Sequence, residues 1–312
     1  MIKSRVSELF RQGYAMRQRL ACFPFLLLLV GCGTRAAVPA PPAVEAPTPL
    51  GVNFNPARAG TIEGRVSWQG DMPTWHAYRD VKTTVGREVD SIDFLNPAIP
   101  KIHAENRGIG QTLVFLRSVD PKRSKPWDIP APKALAHNNL MHLEQFGRLS
   151  PVGIARRGDE IELSSTNTEL DLLRAEGAAF FTLAFPVERR PLARVMDRAG
   201  VVEFSSAVGK YWAKAWLMVL EHPYAAITDD EGRFSLSDVP DGDYELVLWM
   251  PNPHVERFER DPELLRVSRV WHGPALEKSV RVTVKAKERT ETGLCIGAGD
   301  FKRQGANAPR SP

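Results

Sequence analysis

The chain has 312 residues, among them 25 prolines, 23 glycines and three cysteines; 43% are hydrophobic and 25% charged. That composition suits a folded protein of one large or two small domains and excludes low-complexity, collagenous and polytopic membrane chains. The formal charge of +4 does not mark a nucleic-acid surface. Residues 1–31 hold Lys3, Arg5, Arg11, Arg17 and Arg19 against Glu8 alone, and taking these from 41 basic and 37 acidic residues leaves 36 of each.

Residues 17–32 read RQRLACFPFLLLLVGC. Arg17 and Arg19 precede an apolar run over 20–30, short for a membrane span and flanked as an export signal is. The run closes on Leu29-Val30-Gly31-Cys32, small residues ahead of a cysteine, the pattern of a bacterial lipoprotein signal. Residues 1–31 are thus expected to form a signal peptide starting at Met1 or Met16, and Cys32 to be the lipidation site. Five prolines between Val38 and Leu50 and the absence of periodicity make 32–59 an extended tether. With Cys32 acylated, Cys295 has no partner for a disulfide; it reads as a buried or half-buried thiol without a catalytic role.

From residue 60 onward the pattern is β. Strands are predicted at 61–68, 111–119, 159–165, 178–185, 192–196, 201–205 and 214–220, then at 224–228, 233–237, 244–250, 265–271 and 278–286. Short strands at this spacing argue for β-sandwiches. Residues 170–176 read as a short helix or loop, and the charged stretch 253–265 as a helical turn. Residues 288–312 read as a polar C-terminal tail. The sharpest local signal is Thr228-Asp229-Asp230-Glu231-Gly232-Arg233, a tight hairpin: aspartate bonds its own backbone and glycine accepts a positive φ. A second turn at Pro240-Asp241-Gly242-Asp243 leads into the next strand.

The string TDDEGRFSLSDVPDGDYELVLW over 228–249 resembles the ending of the carboxypeptidase regulatory-like domain, a small transthyretin-like sandwich grouped with carbohydrate-binding-like folds. Gly64-Arg65-Val66 and Leu113-Val114-Phe115-Leu116 resemble its opening half. About a hundred residues separate the halves, so the resemblance implies an insertion. With the stretches 108–116, 142–158, 161–167 and 212–229, the chain is similar to secreted planctomycete-type bacterial proteins in which a cupredoxin-like segment sits inside such a domain. The implied architecture is all-β: a first half-sandwich over 60–119, a cupredoxin-like insert over 120–221, and the second half over 222–287.

The resemblance would set copper ligands near Asp171, then around Ala207, Lys210 and Ala213. A type-1 copper site needs two imidazoles and a thiolate, yet no His or Cys occurs between Leu143 and Glu221. The insert is therefore expected to carry no metal and to rest on packing of Phe180, Phe181, Leu183, Phe204 and Trp216. His76, His103, His137, His142, His222, His254 and His272 remain. Of these, His137, His142 and His103 could converge from loops, a weak metal signal beside ordinary surface or structural imidazoles. His222-Pro223-Tyr224 reads as a joint between insert and host.

No hydrolase, P-loop, zinc-protease or dinucleotide motif occurs, so no catalytic residue and no cofactor is expected. Trp68, Trp75, Tyr78, Trp249 and Trp271 are the rings available for sugar stacking. Trp68 and Trp249 lie in strand patterns, which leaves Trp75 and Trp271 as candidate contacts. The expected function is a lipid-anchored, non-catalytic cell-envelope module for binding or spacing. Its expected partners are the membrane and a polysaccharide or envelope protein, with no nucleic acid. The alternatives are a carbohydrate-binding module and a metal-carrying envelope protein.

Overall fold

The computed structural model describes residues 49–75, 77–83, 89–185, 190–263 and 266–301, all within one compact unit. The expectations on 1–31 and on Cys32 lie outside them. The described elements are β-strands and three single 3-10 turns; among the described residues no helix is long and apolar enough to cross a membrane.

Four sheets carry the fold. The first orders the strands Arg233–Pro240, Ala59–Trp68 and Arg289–Ile296; the second orders Ala225–Ile227, Leu113–Arg117, Gly242–Met250 and Leu276–Val284. The third orders Val152–Arg156, Lys214–Leu220, Gly200–Ser206, Asp171–Gly177 and Phe181–Phe185. The fourth orders Leu192–Val195, Glu160–Ser165, Lys133–His137, Leu140–Gln145 and Arg148–Ser150. Every strand of the third and fourth sheets thus lies between Lys133 and Leu220, and every strand of the first and second lies outside that span.

Alternation of side chains along a strand explains how the sheets stack. In Gly242–Met250, Leu246, Leu248 and Met250 enter a core shared with Ile62, Val66 and Leu294 of the first sheet. Val247 and Trp249, on the opposite face, meet Trp216, Met218 and Leu220 of the third sheet, with Leu113 and Phe115 beside them. Ala215, Leu217 and Val219 then face the fourth sheet across a core with Ala134, Leu143, Ile161 and Leu163. Three apolar layers therefore bind four sheets, and all seven residues of Lys214–Leu220 are buried. Each large apolar side chain enclosed in this way contributes about 1.5–3 kcal/mol.

The chain just before residue 133 and just after residue 220 meets at one tyrosine. Tyr224 Oη donates to Asp238 O (3.0 Å) and accepts from Lys125 N (2.9 Å). His222 stacks beside it, and its Nδ1 accepts from Tyr224 N (3.4 Å).

Several expectations are corrected. Residues 170–176 form the strand Asp171–Gly177, and 253–265 contain the strand Val255–Arg260, paired with Val267–His272. The strands Lys133–His137, Leu140–Gln145, Arg148–Ser150 and Val152–Arg156 were not read from the sequence. The tail expected from 288 begins with the strand Arg289–Ile296, which pairs in parallel with Ala59–Trp68 and buries Leu294 and Ile296. Its exposed Arg289, Glu291, Gly293 and Cys295 alternate with the inward-facing residues and give the stretch a polar look. The end of the expected tether is docked: Asn53 N donates to Lys122 O (2.8 Å), and Arg58 pairs with Asp241 (2.6 Å). Phe180 is 80% exposed instead of packed, because it sits in the turn after Gly177. Trp216 packs between the sandwiches instead of inside the insert. Cys295 is exposed, its Sγ 3.3 Å from Ser67 Oγ, because it lies on the outward side of its strand.

Candidate functional site

An open cavity of about 520 Å3 lies where four separate stretches of chain meet: 73–78, 96–99, 253–255 and 298–301. Thr74, Trp75, Tyr78, Asn96, His254 and Phe301 supply its polar and aromatic wall; the other lining residues are Pro, Ile, Val and Ala. None of the eleven is aspartate, glutamate, lysine or arginine. The volume falls within the roughly 300–1,000 Å3 typical of small-molecule sites.

Packing fixes the rings. Trp75 meets Trp68 edge-on (centroids 6.3 Å apart), Phe301 edge-on (5.8 Å) and His254 at a tilt (5.4 Å). Trp75 Nε1 is buried without a hydrogen-bond partner. Asn96 is a buried turn residue. Its Oδ1 accepts from Ala98 N (3.0 Å) and from Tyr78 Oη (3.1 Å), and its Nδ2 donates to Pro253 O (2.9 Å). This one amide joins three of the stretches that enclose the cavity.

Behind the wall lies a buried polar network. Tyr78 Oη is 2.7 Å from His272 Nε2. His272 packs edge-on against Trp216, whose Nε1 donates to Glu203 (3.2 Å), and Glu203 pairs with Lys214. Burial, then the charge of Glu203, pushes the Tyr78 phenol well above its usual range. Burial, then the Lys214 ammonium, pushes His272 down to about 3. The phenol and the imidazole are therefore both neutral at pH 7.

The two tryptophans singled out in the sequence separate here. Trp75 lines the cavity, whereas Trp271 is covered by the guanidinium groups of Arg257 and Arg269, at 3.8 and 4.4 Å from its ring centroid. Arg269 is in turn held by both oxygens of Glu176 (2.6 and 2.7 Å). A sugar would have to displace cations to stack on Trp271. Sequence reasoning missed Asn96 and His254 as wall residues, since nothing local marks them as neighbours of Trp75.

Gly232 and Gly242 sit at their expected turns with φ of +81° and +151°. The Asp229 carboxylate accepts from Glu231 N (3.0 Å), Arg233 N (2.7 Å) and Arg233 Nε (2.8 Å). Burial raises its pKa, but the Arg233 bonds outweigh burial and hold it below the usual carboxylate range.

Two of the three histidines expected on loops are on strands. His137 and His142 lie on the paired strands Lys133–His137 and Leu140–Gln145, and His137 Nδ1 is 2.7 Å from Thr166 Oγ1. His103 accepts the backbone N–H groups of Glu105 (3.3 Å) and Asn106 (3.4 Å) in its own turn. Among the described residues, no group of three or more His, Cys, Asp or Glu could hold a metal ion.

Asp171, Lys210 and Ala213 do come together, around a small cavity in the insert, and Ala207 N donates to Leu172 O (2.7 Å) beside them. An ion pair fills the place: Lys210 Nζ lies 2.8 Å from Asp171 Oδ1. Asp171 Oδ2 also accepts from Ser165 Oγ (2.6 Å) and Asn167 Nδ2 (2.7 Å). Burial would raise the Asp171 pKa, but the bonds from Lys210, Ser165 and Asn167 outweigh it and hold the carboxyl below its usual range. An ammonium among these groups does not fit a copper ion. Lys210→Met, which leaves the carboxylate with two neutral donors, is expected to cost about 2 kcal/mol in urea unfolding, and Lys210→Met/Asp171→Leu to recover part of that loss.

No family model and no curated protein sequence matches the chain.

Proposed function

We propose that the chain is a lipid-anchored, non-catalytic protein of the cell envelope that works as a binding module. In this reading a transthyretin-like sandwich of the carboxypeptidase regulatory-like kind hosts a cupredoxin-like one that carries no copper. The observation that carries the binding role is the cavity at Trp75: preformed, walled by rings and, among the described residues, lined by no aspartate, glutamate, lysine or arginine. The confinement of two complete sheets to 133–220 supports the host-and-insert reading. The Lys210 ammonium supports the loss of copper, because it sets a fixed positive charge among Asp171 and Ala213. The basic flank, apolar run and Gly31-Cys32 ending support export and anchoring.

Metabolic palmitate labelling tests the anchor. Label is expected in the full chain and absent from Cys32→Ser; label that persists in Cys32→Ser overturns the anchor.

A further inference from the structure

We infer that the Trp75 cavity takes an uncharged saccharide unit, an inference that rests on the binding-module reading above and names its ligand class. Charge narrows the choice first. Among the described residues the lining holds no aspartate, glutamate, lysine or arginine, so a charged ligand would leave water for a wall with no formal counter-charge from those side chains. Uronic acids, phosphates and amino sugars are thereby disfavoured.

The mixture of polar and apolar groups narrows it further. Trp75 offers ring surface, backed by the buried Tyr78 and Phe301, while Thr74 and other polar atoms of the wall interleave with it. A purely apolar guest would strip water from those polar groups and replace none of their hydrogen bonds, at about 1–3 kcal/mol for each group left unpaired. A pyranose ring carries an apolar C–H face and a rim of hydroxyls, and so answers both halves of the wall.

The wall is also held in place before any ligand arrives. Asn96 locks 78, 98 and 253 together through its amide, and Trp75 is wedged among Trp68, Phe301 and His254. A wall with few side-chain rotamers left to freeze suits a weakly bound, neutral guest.

The test is ligand-observed NMR on the full chain with cellobiose, maltose and chitobiose, and with glucuronate and indole as charged and apolar probes. At least one neutral disaccharide is expected to bind and glucuronate to be silent. Trp75→Ala should weaken binding at least tenfold. Because Trp75→Ala also removes ring packing, Ile99→Trp serves as a second variant: it fills the cavity from the 96–99 stretch and keeps Trp75, and it should also abolish binding. Indole binding with all three disaccharides silent overturns the inference, as does glucuronate binding as tightly as its neutral counterparts. Disaccharide binding unchanged in both folded variants places the sugar elsewhere and also overturns it. Silence of every probe overturns the saccharide assignment, while palmitate labelling still reports separately on the anchored-module reading.

Discussion

Gly232→Ala is expected to destabilise the protein by about 3–5 kcal/mol, read as a fall in the urea midpoint or as loss of soluble protein. Gly232 has a φ of +81°. A Cβ there would overlap the carbonyl oxygen of Val66 and lie 2.7 Å from Ile109 N and 3.0 Å from Gly108 Cα. All three are backbone atoms of the first sheet and its neighbour, so no side chain can swing aside. The left-handed backbone adds about 1–2 kcal/mol of its own for an L-residue. Val66 N also donates to Gly232 O (2.8 Å), so a shift of the turn would break a bond of the strand that organises the first sheet. Gly147→Ala is the control: its φ is +70°, but nothing lies within 4 Å of the added Cβ, and about 1 kcal/mol is expected. Gly242→Ala should fall between them, since its Cβ would meet only the Tyr244 ring, at 3.5 Å. Equal losses at Gly232 and Gly147 would show that conformation alone, and not the close approach of two chains, sets the effect.

Acid is expected to weaken the fold well before its carboxylates titrate. His222 and His272 are held neutral: burial pushes His222 down to about 4, and burial with Lys214 pushes His272 down to about 3. In the unfolded chain both titrate near 6.5. The unfolded state therefore takes up protons first as pH falls, and stability drops as pH falls below about 6.5. The loss continues until the folded values of about 4 and 3 are reached. At pH 5 each histidine accounts for about 2 kcal/mol, so the protein should be about 4 kcal/mol less stable than at pH 7.5. Asp171 and Asp229, whose folded pKa values are depressed, add their losses only below about pH 4. Urea unfolding between pH 4.5 and 7.5 checks this. His222→Asn should remove about half of the slope whatever it does to stability at neutral pH; an unchanged slope would show that His222 is not the group responsible.

The parts of the fold legible in the sequence are those whose physics is local. The hairpin at Asp229–Arg233 could be read because an aspartate that bonds its own backbone and a glycine at positive φ suffice to make it. The apolar runs at 113–116, 216–220 and 246–250 could be read as strands, and their lack of alternation has a cause: those strands are covered on both faces. Alternating segments such as 159–165 belong to sheets with one face toward water. What stayed hidden is non-local. The parallel partnership of Arg289–Ile296 with Ala59–Trp68 joins segments more than two hundred residues apart, and no turn announces it. The strands over 133–156 mix histidine, glutamate and glutamine with leucine, and Gln145 is buried only because its amide bonds Pro130 O and Ile154 O. The cavity was legible in one residue, Trp75; its other walls are brought by tertiary packing.

The apolar layer between the second and third sheets makes the segment 133–220 a poor cassette. Cut out and expressed alone, it would turn Trp216, Met218 and Leu220 toward water, an invitation to self-association. The remainder would be left with Leu113, Phe115, Val247 and Trp249 equally bare. Neither piece can change its facing residues without cost to the other, so the two must vary together at this layer.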